Sequence, residues 1–280
     1  MENIIEYTWK EISELDKERS ILFVTVAPIE QHSLCLPLGT DIYEGESWIE
    51  SAAIKLEKSE EAYRCFKLPA FPVACASATG FYGCIHFKPQ TTYNVVRELL
   101  SSIACWNFKN VIVIASHADP IHQISVEKAC EWVNEKYGVC TFSPMGAFFS
   151  AEELGINLKY PQEVCDLENK ASNDYHAGWL ETSMMLDIHN ELVRKDYEKL
   201  PDTYITEKEM ISTEKQLKVM GEYGHMGSPR FADKYIGKLL NENTSEYLQK
   251  VIKCFAKRDG YQRYMHHFLY KMPFMHKYFS

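Results

Sequence analysis

An apolar run over residues 21–26 is followed at once by a proline and then by two potential metal ligands. The run has the length and the β-branched content of a buried strand. Pro28 ends regular pairing because proline has no N–H to give to a neighbouring strand. Glu30 and His32 come next, and alternate residues of an extended segment point to the same side. The pattern therefore predicts a carboxylate and an imidazole that leave the end of a strand together.

A third potential ligand follows within the same stretch. Pro37 and Gly39 favour a turn, which can bring Asp41 back toward Glu30 and His32. Glutamate, histidine and aspartate side chains that converge on one point suit zinc, manganese or iron(II). A Glu-x-His pair alone is more often part of a solvated loop. Its position at a strand end and the nearby aspartate favour a metal site here.

A second apolar run, residues 111–115, has the composition of a buried parallel strand and also ends in a pair of potential ligands. His117 and Asp119 stand two residues apart just past its end. In open α/β sheets, ligands bind in the crevice outside the carboxyl ends of the strands, so we expect both pairs to meet at one edge. Asp119 has a second interpretation, because Asp is a favoured N-cap and Pro120 suits the first position of a helix.

A third cluster, residues 174–183, leads into a short apolar helix. A neutral imidazole such as that of His176, placed near a metal, can pass protons between an attacking water and a leaving nitrogen. Glu181 lies five residues on and need not share its face. It can bind metal, orient a ligand or favour the helix start electrostatically. The structural alternative is that Gly178 and Ser183 simply permit close helix packing.

The periodicity along the chain predicts a single α/β domain over residues 1–280, with a largely parallel sheet and helices on both faces. Strands are expected at residues 21–27, 111–115 and 139–142. Helices are expected in the first 20 residues and at 42–61, 91–108, 121–137, 184–188 and 245–256. Pro69 and Pro72 argue against a regular central strand in residues 62–76. Two further segments are an irregular stretch, 146–172, and an aromatic extension from about residue 260.

Composition excludes several classes of function. The net charge of −9 argues against a nucleic-acid partner. No apolar run reaches membrane-spanning length, and the first residues lack the pattern of a signal peptide. Nine cysteines without a Cys-x-x-Cys pair are typical of reduced thiols. We therefore expect a cytoplasmic protein without disulfides, zinc fingers or membrane contact.

The stretch Pro28-x-Glu30-Gln31-His32-(x)4-Pro37-Leu38-x-Thr40-Asp41 resembles the N-terminal signature of the creatininase (creatinine amidohydrolase) family. Residues 174–183 resemble the family's His-Ala-Gly-x-x-Glu-Thr-Ser motif. The similarity extends over roughly residues 20–240 through four separately spaced motifs, and it implies a three-layer α/β/α fold. The chain departs from the family pattern at Ser33, Cys35 and Gln90. It also lacks the glycines and the asparagine that the family has after the residue matched by His117.

The resemblance implies a role for the residues at both strand ends. Glu30, His32, Asp41 and His117 match the family's metal ligands, with Asp41 placed to bridge two ions. Asp119 falls where creatininase itself has a glutamate. One or two divalent ions per chain are implied, zinc and/or manganese, with iron as a further choice.

The other motifs supply candidates for catalysis and for substrate contact. His176 matches the family histidine that transfers protons, and Glu181 matches a motif glutamate that is a candidate ligand or a residue that orients one. His86, in the loop 80–91, and Trp179 are candidates to face the substrate. An ordinary surface loop is an equal alternative for the segment around His86.

The function implied is metal-dependent hydrolysis of a C–N amide bond in a small molecule, cyclic ones included, by a metal-activated water. The partners expected are that substrate and further copies of the chain, in a homo-oligomer that is a hexamer as in the family. Two alternatives remain open. One is another hydrolase of the family, such as a formamide deformylase or a short-peptide hydrolase. The other is a non-catalytic metal-binding scaffold, suggested by the missing glycines.

Overall fold

The computed structural model describes residues 1–76, 80–210 and 212–279, with residue 276 described by its backbone alone. A sheet of five strands forms its centre, and all the strand pairs in that sheet are parallel. The strands lie in the order β1–β3–β2–β4–β5, and their bounds are Glu2–Asn3 (β1), Ser20–Thr25 (β2), Arg64–Lys67 (β3), Asn110–Ile114 (β4) and Thr141–Phe142 (β5). The predicted parallel α/β sheet is confirmed.

Helices connect and cover these strands. Their bounds are Trp9–Glu14 (α1), Thr40–Glu57 (α2), Pro89–Ala104 (α3), Pro120–Tyr137 (α4), Met145–Phe149 (α5), Gln162–Lys170 (α6), Trp179–Ile188 (α7), Glu207–Met210 (α8), Thr213–Met220 (α9), Lys234–Ala256 (α10) and Pro273–His276 (α11). Within the described ranges, no helix combines the length and the apolar composition that crossing a bilayer requires.

The two faces of the sheet bury separate apolar cores, because successive side chains of a strand point to opposite sides. On one face, Ile21 and Phe23 of β2 pack with α2, α7 and α10. On the other face, Leu22 and Val24 pack with α3 and α4. The predicted arrangement of helices on both faces is therefore confirmed, and the carboxyl ends of β2 and β4 lie between two helical layers.

Several element bounds differ from the sequence prediction. β3 takes an inner position beside β2, because Pro69 and Pro72 lie beyond its last residue and do not interrupt its hydrogen bonds. The prediction of no regular strand there was wrong for residues 64–67. The irregular stretch 146–172 contains α6, and β5 is shorter than the predicted strand.

The last long helix, α10, begins eleven residues before the predicted start at 245. Asp233 caps it by accepting hydrogen bonds from the N–H groups of Tyr235 and Ile236. The added turns carry polar residues that are buried against neighbouring helices. Asn241, for example, accepts a hydrogen bond from the indole N–H of Trp48 at 2.9 Å. Buried polar residues interrupt the apolar periodicity that a sequence pattern depends on.

The aromatic C-terminal segment packs on its own domain. Tyr261 and Tyr264 join the core that contains α10. The backbone N–H of His267 donates to the buried carboxylate of Glu127 at 2.8 Å, and Tyr270 packs on Ile124 of α4. These contacts place the extension beside α4. The nine cysteines are free thiols.

Close packing of α7 and α10 depends on one glycine, Gly237. A Cβ atom at this position would lie 1.8 Å from the carbonyl oxygen of Ser183. The substitution Gly237→Ala must therefore separate the two helices, and we expect it to lower the free energy of unfolding by about 3 kcal/mol. Urea denaturation followed by circular dichroism measures this change.

Lys238→Ala is the matched control, since the Lys238 side chain is 58% exposed on the same turn. We expect it to change the free energy of unfolding by less than about 0.5 kcal/mol. Equal denaturation midpoints for Gly237→Ala and the unaltered protein would contradict the packing described here.

Candidate metal centre

The centre begins where β2 and β4 end side by side. These strands pair in register up to Thr25 and Ile114, so the residues that follow them emerge at the same edge of the sheet. Glu30 and His117 are both buried there. The Nδ1 atom of His117 lies 3.4 Å from Oε2 of Glu30. The structure thus brings together one residue of each predicted pair.

Asp41 joins them from the first turn of α2. The hydroxyl of Ser116 donates a hydrogen bond of 2.6 Å to the Asp41 carbonyl oxygen and ties this turn to the end of β4. Gly45 allows α2 to lie this close to Ser116, because a Cβ atom at Gly45 would lie 2.6 Å from the Ser116 Oγ. The Asp41 carboxylate then faces two imidazoles: Oδ1 is 3.4 Å from His117 Nδ1, and Oδ2 is 3.5 Å from His32 Nε2.

His32 has a defined tautomer in this arrangement. Its Nδ1 lies 3.0 Å from the backbone carbonyl oxygen of Glu30. Because a carbonyl oxygen only accepts, we assign the ring proton to Nδ1 and the free lone pair to Nε2. Nε2 faces the carboxylates of Asp41 and Glu181, the latter at 3.9 Å. A backbone carbonyl behind a histidine is the usual way that proteins orient a metal-binding imidazole.

Glu181 reaches the centre from the first turn of α7. One of its oxygens, Oε2, accepts a hydrogen bond from the backbone N–H of Ala177, and the other faces His32. The residue therefore satisfies a donor at the helix start and also presents an oxygen to the centre. The sequence left these two interpretations open, and the geometry combines them.

His176 stands beside this group and contacts Gln31. Its Nε2 is 2.8 Å from the backbone carbonyl oxygen of Gln31, to which it donates as the Nε2–H tautomer. The Gln31 side chain is held in turn, since it donates to the Gly224 carbonyl at 2.8 Å and accepts from the Ser33 N–H at 3.0 Å. The rings of His176 and His32 lie 4.6 Å apart.

Gln31 is a site residue that the pattern analysis did not single out. Its position between Glu30 and His32 in an extended segment was the available signal, because it predicts a side chain on the opposite side of that segment. The Gln31 side chain lies 3.0 Å from Nε2 of His176, and a backbone bridge between His176 and Met226 holds that loop.

The donor atoms form three overlapping groups, each with its atoms within 4.8 Å of one another. The first position is Glu30, Asp41 and His117; the second position is His32, Asp41 and Glu181; the third group is Glu30, His32 and His176. Asp41 belongs to both positions. Each position offers three ligands, which for zinc leaves a fourth place for water or substrate.

Unpartnered polar atoms indicate that these groups fit a cation. Buried polar groups in proteins nearly always have hydrogen-bond partners. Within residues 1–76, 80–210 and 212–279, several buried atoms around the two positions have none: Glu30 Oε2, His32 Nε2, Asp41 Oδ2, Glu44 Oε1 and His117 Nε2. Carboxylate oxygens and imidazole nitrogens are ligands for zinc and manganese, so the residues present suit a divalent metal.

The pKa shifts at the centre reflect the closeness of its imidazoles and carboxylates. Burial by itself lowers the pKa of His117, but the nearby carboxylates of Glu30 and Asp41 outweigh it and raise that pKa to about 10. Burial raises the pKa of Asp41, whereas the facing imidazoles of His32 and His117 lower it more strongly, so its net shift is downward. The carboxylates thus favour positive charge on the imidazoles, as they would favour a metal ion.

Asp119 takes a different position from the other predicted ligands. Its Oδ1 accepts hydrogen bonds from the N–H groups of Ile121 and His122, at 2.7 and 3.3 Å, as the N-cap of α4. Among the described residues it belongs to none of the three ligand groups. The capping interpretation of Asp119 thus has direct geometric support.

The two candidates for substrate contact differ in exposure. His86 is exposed in the loop before α3. Trp179 is only 2% exposed, and its indole N–H donates to the Ala171 carbonyl at 2.8 Å. The Trp179 ring therefore packs in the core, and its predicted contact with a substrate stays a prediction.

Comparisons with known proteins identify the family and the fold of this chain. The family model for creatinine amidohydrolase matches residues 5–252. A search of curated proteins finds no match. A crystal structure from Bacteroides fragilis, provisionally described as a creatinine amidohydrolase, is 20% identical with a TM-score of 0.68, and the match covers 93% of this chain and 98% of that one.

Two creatininase structures are similar as well. One is a mutant complexed with creatine and the other a manganese form; each is 15% identical with a TM-score of 0.69, covering 89% of this chain and 96% of the other. These similarities show a shared fold. Since the family model matches most of its length, the chain belongs to the creatininase family.

Proposed function

We propose that this chain is a metal-dependent amidohydrolase that cleaves a C–N amide bond of a small molecule, cyclic amides included. The observation that carries the proposal is the pair of three-ligand positions that share Asp41 at the carboxyl edge of the sheet. Each position combines one imidazole with two carboxylates, and each is mostly buried. Such sites with an open coordination place are typical of catalytic rather than structural metals.

Divalent ions at these positions would lower the pKa of a bound water and polarise the carbonyl of the substrate. Glu30 and His117 would hold the ion at the first position, and His32 and Glu181 the ion at the second. Asp41 would contribute one oxygen to each. Zinc or manganese is the metal we infer, from the ligand types and from the manganese form of a similar creatininase.

His176 is the residue we propose for proton transfer. It carries a nitrogen within 4.8 Å of ligand atoms of Glu30 and His32, close to where a water at the centre would lie. With Nε2–H donated to the Gln31 carbonyl, the other ring nitrogen, Nδ1, would accept a proton from the attacking water and pass it to the leaving nitrogen. Gln31 would hold the ring in that orientation.

The choice among related hydrolases rests on the substrate. Asp119, which caps α4, stands at the position that the resemblance matches to a glutamate of creatininase. Because this residue differs, the preferred amide substrate can differ from that of creatininase. A screen of small lactams, formamides and short peptides separates a lactam hydrolase from a formamide deformylase and a peptide hydrolase. Assembly into a homo-oligomeric hexamer and a cytoplasmic location stay predictions from the sequence.

Replacement of His32 and of His176, one at a time, should affect metal content and activity differently. His32→Ala removes a ligand, and we expect it to weaken metal binding at least about 10-fold and to abolish activity with it. His176→Ala removes the proton-transfer group, so it should lower kcat by about 10²–10⁴-fold and leave metal in place. Metal is measured by mass spectrometry after dialysis, and activity with a substrate found in the screen.

His189→Ala is the control, since the His189 side chain is 38% exposed at the end of α7 and, among the described residues, lies outside the ligand groups; both quantities should stay unchanged. Equal metal loss in His32→Ala and His176→Ala would reassign His176 as a ligand. Full metal content and full activity in both variants would refute the proposed centre.

Metal binding should also release protons. In the metal-free protein the pKa of His117 is raised to about 10 by the facing carboxylates, so at pH 7–8 this ring carries a proton that a ligand must lose. We expect release of at least about one proton for the ion at the first position, and affinity that rises with pH up to about 10. Titration calorimetry in buffers of different ionisation enthalpy measures the number of protons. An enthalpy independent of the buffer would contradict this prediction.

A further inference from the structure

Glu44 is a buried carboxyl group next to the candidate metal centre that neither the ligand motifs nor the family resemblance assigns. It lies three residues after Asp41 in α2, and residues three apart share a face of a helix. Only 2% of Glu44 is exposed. In the described part of the chain its Oε1 atom has no hydrogen-bond partner. A buried acid that served packing alone would be expected to have one.

The surroundings of Glu44 disfavour a negative charge on its carboxyl group. Burial raises its pKa well above the ordinary value, and the negative charges of Glu181 and Asp41 raise it further. Glu181 comes from α7 and Asp41 from α2, so carboxylates of two packed helices act on Glu44. Like charges in a buried place repel one another unless a cation lies among them.

We propose that Glu44 is a further carboxylate of this centre, and that its negative charge raises the affinity of the second position for a divalent cation. The inference rests on the proposed function, because it requires that metal centre. Glu44 belongs to none of the groups of mutually close ligand atoms among the described residues, so it would act through its charge, next to the ligands Asp41 and Glu181, and not as a ligand itself. With Glu30 included, four carboxylates then balance the four positive charges of two divalent ions.

Manganese binding tests this role without any substrate. Calorimetric titration of the metal-free protein with Mn²⁺ should show two binding events in the unaltered chain. Glu44→Gln keeps the shape of the side chain and removes its negative charge. The dissociation constant for Mn²⁺ at the second position should therefore rise about 10-fold or more, and the dissociation constant at the first position should stay within about 3-fold of its unaltered value. Glu44→Asp restores the charge and should recover most of the affinity. Glu50→Gln, an exposed change on the same helix, is the control.

Thermal stability of the metal-free protein supplies a second readout. Because burial and the charges of Glu181 and Asp41 already disfavour the charged form of Glu44 in the metal-free protein, the neutral amide in Glu44→Gln should leave Tm within about 1 °C of that of the unaltered protein. A structural acid would instead give a lower Tm and unchanged manganese affinity.

Each outcome decides the inference. Weaker second binding with recovery in Glu44→Asp supports it. Two manganese events of unaltered affinity in Glu44→Gln overturn the role of Glu44 and leave the metal centre standing. A single event in the unaltered protein also overturns it, because no second position is then filled. No manganese binding at all would overturn the proposed metal centre together with Glu44.

Discussion

Burial of carboxylates at one edge of the sheet is the constraint on which the rest of this structure depends. Glu30, Asp41 and Glu44 are each about 2% exposed, and Glu181 faces the same space. Charges taken out of water cost several kcal/mol each unless they are paired. The imidazoles of His32 and His117 compensate part of this cost, and a divalent cation would compensate the rest. A site that is unfavourable without its ligand binds that ligand more strongly, so stability and function are coupled here.

The fold supplies that coupling through a few close contacts. Parallel pairing of β2 with β4 delivers Glu30 and His117 to the same edge. The Ser116 hydroxyl donates to the Asp41 carbonyl and holds α2 against the end of β4. The two elements can lie this close because Gly45 of α2 has no side chain. α7 reaches the centre with Glu181 while α10 packs against it. α2 and α7 thus bring acidic residues that are distant in sequence into one site.

Much of this arrangement was predictable from the sequence, for physical reasons that can be named. The apolar runs that end in Glu30 and in His117 are strands by composition, and parallel strands place their carboxyl ends together. Glu181 was ambiguous because its direction depends on how α7 is oriented against the sheet. Glu44 was missed because a glutamate on a helix is usually solvated. Its burial follows from the approach of α2 at Gly45, which only the three-dimensional packing reveals.

The measurement that tests the account most directly is anomalous X-ray diffraction from crystals of the protein grown with Mn²⁺. Two anomalous peaks are expected at the carboxyl edge of the sheet. One should lie among Glu30, Asp41 and His117, and the other among His32, Asp41 and Glu181. Asp41 would then be the shared ligand. A map without a peak at this edge, from crystals in which these residues keep the positions described here, would contradict the central claim that this fold is built around a metal centre.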